Sequence, residues 1–272
     1  LKLRHMASRR MDGYWANPRW PDNEDANRSV WYAYYRSLIA ASELFELKLR
    51  YAGGFSFASA EACYSAYTGE LYRFDQLYRM YHEAADAVYA RSPDALSPLT
   101  SRVEQDYLNG FLQPLAQKWG SFVDGGLLQQ WQLPDVPNQQ NFYTEQVDRY
   151  LKGGEDRRVF VVISDALRYE VAQELSESLN GKYRFAAELS SQLGVLPSYT
   201  KLGMASLLPH KSLSYTDTGL VQVDGLSSDG LEARNKILSS VNGLALRAED
   251  FLTMNKTDGR ELIKPYRAIY IY

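Results

Sequence analysis

Between about residue 27 and residue 124 the apolar positions recur every three or four residues. Trp31, Tyr34, Leu38, Ser42, Phe45 and Leu49 follow the cap candidate Asn27, and Phe74, Leu77, Tyr81, Ala84 and Val88 repeat the spacing. Each set predicts an amphipathic helix. Ser101-Arg-Val-Glu104 has the form of a capping box and opens a third helix carrying Val103, Tyr107, Phe111 and Leu115, which Pro114 should kink or end. The polar, proline-bearing stretch "LPDVPNQQN" that follows, Leu133 to Asn141, reads as a linker or long loop.

Past about residue 150 the period changes. Val159 to Ile163 is a run of five apolar, mostly β-branched residues, the pattern of a strand buried on both faces in a parallel sheet. A helix follows in which Ala172, Leu175 and Leu179 share a face, and Asn180-Gly181 stops it. Tyr183 to Leu189 is a second strand candidate. Further signals are strand at Val221 to Val223, helix at Ser228 to Leu238, helix at Ala248 to Met254 and at Arg260 to Lys264, and strand at Ala268 to Tyr272. Strands alternating with helices predict an α/β fold with a doubly wound, mostly parallel sheet, preceded by an α-helical domain.

Two polar residues fall at the sheet edge where such folds bind ligands. Asp165 follows the first strand, and Thr200, after the extended Pro197-Ser198, falls where a helix should begin. A threonine hydroxyl is a poor nucleophile unless a cation lowers its pKa, and a carboxylate is a hard ligand for such a cation. The free N–H groups of a helix starting at Thr200 would also favour an anion such as phosphate. The competing reading is plain: an Asp after a strand and a Thr at a helix start both serve as helix caps.

Composition narrows the function classes. The 272 residues are 45% hydrophobic and 23% charged, as in a globular protein, and 30 Lys plus Arg face 33 Asp plus Glu without a block of like charge. That balance carries no electrostatic footprint for nucleic acid or membrane, although a local basic groove is compatible with it. The single cysteine, Cys63, allows no internal disulfide and fits a reducing compartment, and no apolar run reaches the ~20 residues that span a bilayer, so a cytoplasmic location is expected. Many of the 21 tyrosines fall on the helical stripes and read as core and rim residues. Residues 1–8, "LKLRHMAS", look vector-derived, and the strand "YRAIYIY" stops without a turn, which suggests a fragment of a larger protein. The expected organisation is a helical domain over 9–132, a linker over 133–156 and a partial α/β domain over 157–272.

The stretches "VFVVISDALRYEVAQEL", "LGVLPSYTKLGMASLLP" and "VDGLSSDGLEARNKIL" together resemble the PglZ family, the alkaline-phosphatase-like proteins of BREX phage-defence systems. The resemblance runs from Val159 to Tyr272, and the helical part is similar to what precedes that domain in the family. It implies a partial alkaline-phosphatase-like fold and a metal-dependent phosphoesterase, phosphodiesterase or nuclease-like, in which Asp165 binds metal and Thr200 bridges two divalent ions, Zn or Mn, as nucleophile. It further implies other BREX proteins as partners and a phosphoester substrate, nucleic acid among the candidates. The family's remaining Asp and His ligands have no counterpart here: His5 lies in the suspected scar, His82 in the helical part and His210 in a turn. They are expected beyond Tyr272, so this chain is expected to be inactive and free of metal. Arg168, His210 and Lys211 are candidates for substrate contact, with a sheet-edge cover and a surface turn as their alternatives. An adaptor that docks defence proteins through its helical part is the main competing function, and a mutase or sulfatase on the same fold is a third.

Overall fold

A computed structural model describes residues 2–17, 26–182 and 185–272. The chain divides into two compact units, Leu1–Gln130 with Arg168–Glu188, and Trp131–Leu167 with Leu189–Tyr272.

The first unit is helical. Its long helices, Ala26–Arg50, Tyr72–Tyr89 and Ser97–Tyr107, enclose a core of Leu44, Leu47, Phe74, Leu77, Tyr81, Val103 and Phe111. Phe74 stacks on Phe111 with ring centroids 4.3 Å apart. The expected stripe at Phe74, Leu77, Tyr81, Ala84 and Val88 is buried throughout. On Ala26–Arg50 the buried face is Ala33, Ser37, Ala40, Ala41, Leu44 and Leu47, while Trp31 and Leu49 are exposed. Small side chains let this helix pack closely, which an eye drawn to aromatics misses. That helix is already formed at Asn27, whose side chain lies outside the described residues.

The third helix starts at Ser97, four residues before the expected box, with Pro98 in its first turn where no N–H is needed. Ser101 is interior and its hydroxyl donates to Ser97 O. Pro114 does not end the helical path, because a π-helical turn over Leu108–Leu112 precedes it and absorbs the missing N–H. The first residues also belong to this unit: Lys2–Met11 is a helix with Ala7 buried, and Arg4 pairs with Glu43 and Glu46.

Tyr169–Gly181 is held by charge rather than by its expected apolar face. Glu170 is 0% exposed and accepts from Arg79 Nε and Nη2 at 3.1 and 3.0 Å, whereas Leu175 is exposed. The strand expected over 183–189 does not form in its described part, 185–189; residues 183 and 184 lie outside the described residues. The Asn180 carboxamide takes up both backbone groups of Ala187, Nδ2 donating to its C=O and Oδ1 accepting its N–H, each at 2.8 Å, so that stretch needs no sheet partner.

The second unit is of mixed α/β class. Strands β1 (Val159–Val162), β2 (Leu213–Tyr215), β3 (Val221–Val223), β4 (Leu226–Ser227), β5 (Gly243–Leu246) and β6 (Ala268–Ile271) form two sheets: β1-β6-β5, all parallel, and β2-β3-β4, antiparallel. Strand β6 is buried on both faces. Ala268 and Tyr270 face a core with Val161, Leu202, Ala205 and Leu238, and Ile269 and Ile271 face Phe251, Leu262 and Ile263. Strand β1 lies at an edge of its sheet, and only Val161 is buried; Phe160 and Val162 are 47% and 71% exposed, against the expectation of burial on both faces. The expected linker is likewise packed, for Leu133, Val147 and Leu151 are buried and the last two share the core of β6. Tyr272 Oη is buried without a hydrogen-bond partner among the described residues, and burial pushes this phenol up to about 12.

Two outcomes are expected from denaturation of this chain. Arg79→Met should cost roughly 3 kcal/mol because it leaves the buried Glu170 carboxylate with only the more distant Arg168 Nε, at 3.7 Å, and adding Glu170→Leu should recover much of the loss. An equal loss in the single and double variants would mean that the pair is not what fixes this helix. The neutral Tyr272 phenol is favoured in the folded state, so stability should hold below pH ~10, the unfolded value, and fall as pH rises toward 12. Tyr272→Phe should flatten that slope and stabilise by ~1 kcal/mol, since no buried hydroxyl is left unpaired.

Candidate active site

Beyond β1 the backbone keeps its sheet bond at Ile163, whose N–H donates to Ile271 O at 2.8 Å, and then turns sharply. Ala166 adopts φ +57°, a left-handed conformation that costs an L-residue with a Cβ on the order of 1 kcal/mol. The turn aims Asp165 outward, and its Oδ1 accepts from Ala166 N at 3.0 Å, which locks the carboxylate to its own loop. On the facing element Thr200 is the first residue of the helix Thr200–Ser206, and the preceding Leu196–Pro197 bond is cis. Thr200 Oγ1 donates to Asp165 Oδ2 at 3.3 Å, long for an O–H···O contact, with both residues exposed.

Neither residue caps a helix. The cap position of Thr200–Ser206 is Tyr199, with no side-chain cap bond, and that of Tyr169–Gly181 is Arg168, also without one. The structure therefore brings Asp165 and Thr200 to one place and leaves the capping alternative without its hydrogen bonds. Both line a cavity of about 560 Å³ with Ser164, Gln139, Gln192 and Ser198. The expected helix N-terminus is weak as an anion site, because the helix is only seven residues long.

The other candidates are elsewhere. Arg168 belongs to the helical unit, where its Nη2 pairs at 3.2 Å with the buried Asp75, which also accepts from Tyr67 and Tyr107. Burial first, and then those bonds to Asp75, push both phenols above the ordinary tyrosine range. His210 Nδ1 lies 2.7 Å from Leu208 O, and Lys211 N donates to Asp224, so both sit at the antiparallel sheet and do not line the cavity. Backbone and side-chain donors of Ser212 and the Lys211 N–H hold the Asp224 carboxyl below its usual range. That places His210 and Lys211 with the surface-turn alternative.

Residues 142–272 match the family described as the BREX system PglZ alkaline phosphatase-like domain. This segment belongs to the PglZ family. The PglZ segment and the helical unit together are 40% identical over 273 residues to the alkaline phosphatase-like protein BrxZ of Escherichia coli O9:H4 (strain HS), covering 99% of this chain and 30% of that protein. They are 32% identical over 246 residues to the alkaline phosphatase-like protein PglZ of Bacillus cereus (strain H3081.97), covering 90% of this chain and 28% of that one. The chain thus spans under a third of the length of these relatives. The helical unit is part of the match to both. No solved structure matches the chain.

The donors at the cavity suit a divalent cation in kind: a carboxylate and a hydroxyl are hard oxygen ligands. They fall short in number, since the described residues contain no group of three or more His, Cys, Asp and Glu placed to hold a metal. Sequence reasoning missed Gln139, hidden in a polar stretch that reads as a loop, and the turn at Ala166, which no glycine announces.

Ala166→Gly should be neutral or stabilising by up to ~1 kcal/mol, because glycine accepts φ +57° without a Cβ penalty. Ala166→Val should destabilise by more than ~1 kcal/mol, since a branched Cβ is worse there. Urea midpoints of this chain measure both, and a valine variant as stable as the parent would rule out the turn as described.

Proposed function

We propose that this chain supplies part of a metal-dependent phosphoesterase of a BREX-type phage-defence system, with Asp165 as a metal ligand and Thr200 as the nucleophile. The observation that carries the reading is the pairing of Thr200 Oγ1 with Asp165 Oδ2 at the cavity, where neither side chain serves a helix end. The residue types around the cavity support it: Asp165 is the one Asp, Glu, Lys, Arg or His among its lining residues, and nearby Lys201 pairs with Asp229 at 3.1 Å. A phosphoester anion beside that carboxylate therefore needs a cation.

Asp165 and Thr200 would hold such a cation, which would supply the acidity that a threonine hydroxyl lacks at neutral pH. Thr200 Oγ1 would lose its proton to solvent and bond to phosphorus as the ester P–O bond breaks and the alcohol leaves; water would then cleave the Oγ1–P bond, releasing the phosphoryl product and restoring the hydroxyl. Asp165, held by Ala166 N through Oδ1, accepts the Thr200 hydroxyl hydrogen on Oδ2 and would so orient the oxygen. Ligands completing a two-metal site would come from parts of the protein outside these residues, as would strands that extend β1-β6-β5 into a doubly wound sheet. Substrates, nucleic acid among them, and contacts with other defence proteins belong to the whole protein.

The adaptor reading has one observation in its favour. An apolar groove of about 280 Å³ on the helical unit, lined by Cys63, Leu112, Leu115 and Trp119, is of a kind that docks side chains.

In the full-length protein Thr200→Ala should abolish cleavage of bis-p-nitrophenyl phosphate with Zn²⁺ or Mn²⁺, and Thr200→Ser should keep measurable turnover. Because the Thr200 hydroxyl makes no cap bond, the Ala variant should be within ~1 kcal/mol of the parent in stability. Wild-type turnover by that variant rejects the assignment. This 272-residue chain, dialysed and analysed for metals, should retain far less than one equivalent, because a catalytic zinc site takes about three protein ligands. One or two ions retained per chain would place the site elsewhere.

A further inference from the structure

We infer that Gln139 is the positioning residue that sets Thr200 against Asp165, an inference that rests on Thr200 being the nucleophile. Leu202 and Ala205 seat the far side of the Thr200 helix in the core of β6, but the approach to Thr200 has few ties of its own. Its helix begins without a side-chain cap, and the chain before it, Leu196 to Tyr199, is exposed. Gln139 closes this stretch from both sides with one carboxamide. Its Oε1 accepts from Val195 N at 3.1 Å, before the stretch, and its Nε2 donates to Gly203 O at 3.2 Å, one helical turn beyond Thr200.

Gln139 is itself anchored by its backbone. Its N–H donates to Leu193 O at 2.9 Å, and Leu193 N donates to Pro137 O at 2.7 Å, a short parallel bridge. Asn138 Nδ2 donates to Trp131 O at 3.0 Å, and Trp131 Nε1 to Gly194 O at 2.6 Å, so the 131–139 segment grips the Thr200 loop at its base as well. The segment is tied downstream to the sheet core through Val147 and Leu151, which pack with Val161 of β1. The carboxamide is thus a brace from the element that supports the strand end to the element that carries the nucleophile. It lines the same cavity as both.

A shift of about 1 Å in a reacting group can cost on the order of 100-fold in rate, so loss of the brace should act on turnover. The test uses the full-length protein, bis-p-nitrophenyl phosphate and Zn²⁺ or Mn²⁺, with rates expressed per folded molecule. Gln139→Leu keeps the volume and removes both bonds; kcat should fall about 10- to 100-fold with KM changed less than about threefold. Gln139→Glu, nearly isosteric, keeps the acceptor for Val195 N but sets a carboxylate against Gly203 O, and it should lower kcat in the same direction with little change in melting temperature. Trp131→Phe removes a bond at the base of the loop only, and it should lower the melting temperature while leaving kcat per folded molecule near that of the parent.

If both Gln139 variants keep kcat within about twofold while Thr200→Ala is inactive, the brace is wrong and the nucleophile assignment stands. The same holds if Trp131→Phe loses kcat as fully as Gln139→Leu, because general loosening of the loop would then suffice. If Thr200→Ala turns over like the parent, the underlying reading fails, whatever the Gln139 variants do.

Discussion

The second unit depends on one parallel pairing between strands far apart in the chain. Strand β1 runs in register with β6 from Val159 beside Ala268 to Val162 beside Ile271, and Ile163 N extends the ladder by one bond to Ile271 O. A parallel pair cannot be closed by a tight turn, so everything from Ser164 to Arg267 is the crossover between them. Thr200 and Asp165 meet because that crossover is pinned at both ends. Arginines reinforce the pin at the strand starts: Arg158 donates to Tyr266 O and Lys264 O, and Arg267 to Leu151 O and Gly154 O. Those guanidiniums tie the two strand starts to backbone carbonyls of the neighbouring segments.

Much of the fold was legible because burial leaves a period in the sequence. The stripe on Tyr72–Tyr89, the strand at Ala268–Ile271 and the helices over Gly230–Leu238 and Ala248–Thr253 all lie where the pattern put them. The failures have physical causes. Ala26–Arg50 buries alanines, which carry little hydropathy signal, and Tyr169–Gly181 docks by an ion pair that looks like an exposed charge in sequence. Strand β5, Gly243–Leu246, is too short to announce itself, and at its first residue a Cβ would sit tightly, 3.1 Å from Ala268 O. The segment 131–141 is polar because its side chains bind backbone, so it reads as a loop although it holds one.

At the candidate site, spacing alone could not separate a helix cap from a ligand, since both functions use Asp and Thr at element ends. The geometry speaks to the cap alone: the hydrogen bonds that a cap must make are ones these residues lack. The likeness to BrxZ and PglZ proteins gives the pair a context, and the turn at Ala166 shows that the carboxylate's direction is built at some cost in backbone strain. Arg168, three residues from Asp165, is spoken for by Asp75 in the helical unit, which proximity in sequence could not reveal.

The exposure of β1 bears on how the chain behaves as a material in solution. Phe160 and Val162 present apolar surface on a strand whose outer edge has no partner among the described residues. An open, apolar edge is a template for adding strands from other molecules, and native proteins blunt such edges with lysine, proline or a bulge. "VFVV" has none of these within it. Concentrated preparations of this chain should therefore lose material to edge-to-edge self-association, and a lysine at position 162 is the conservative way to keep them monodisperse.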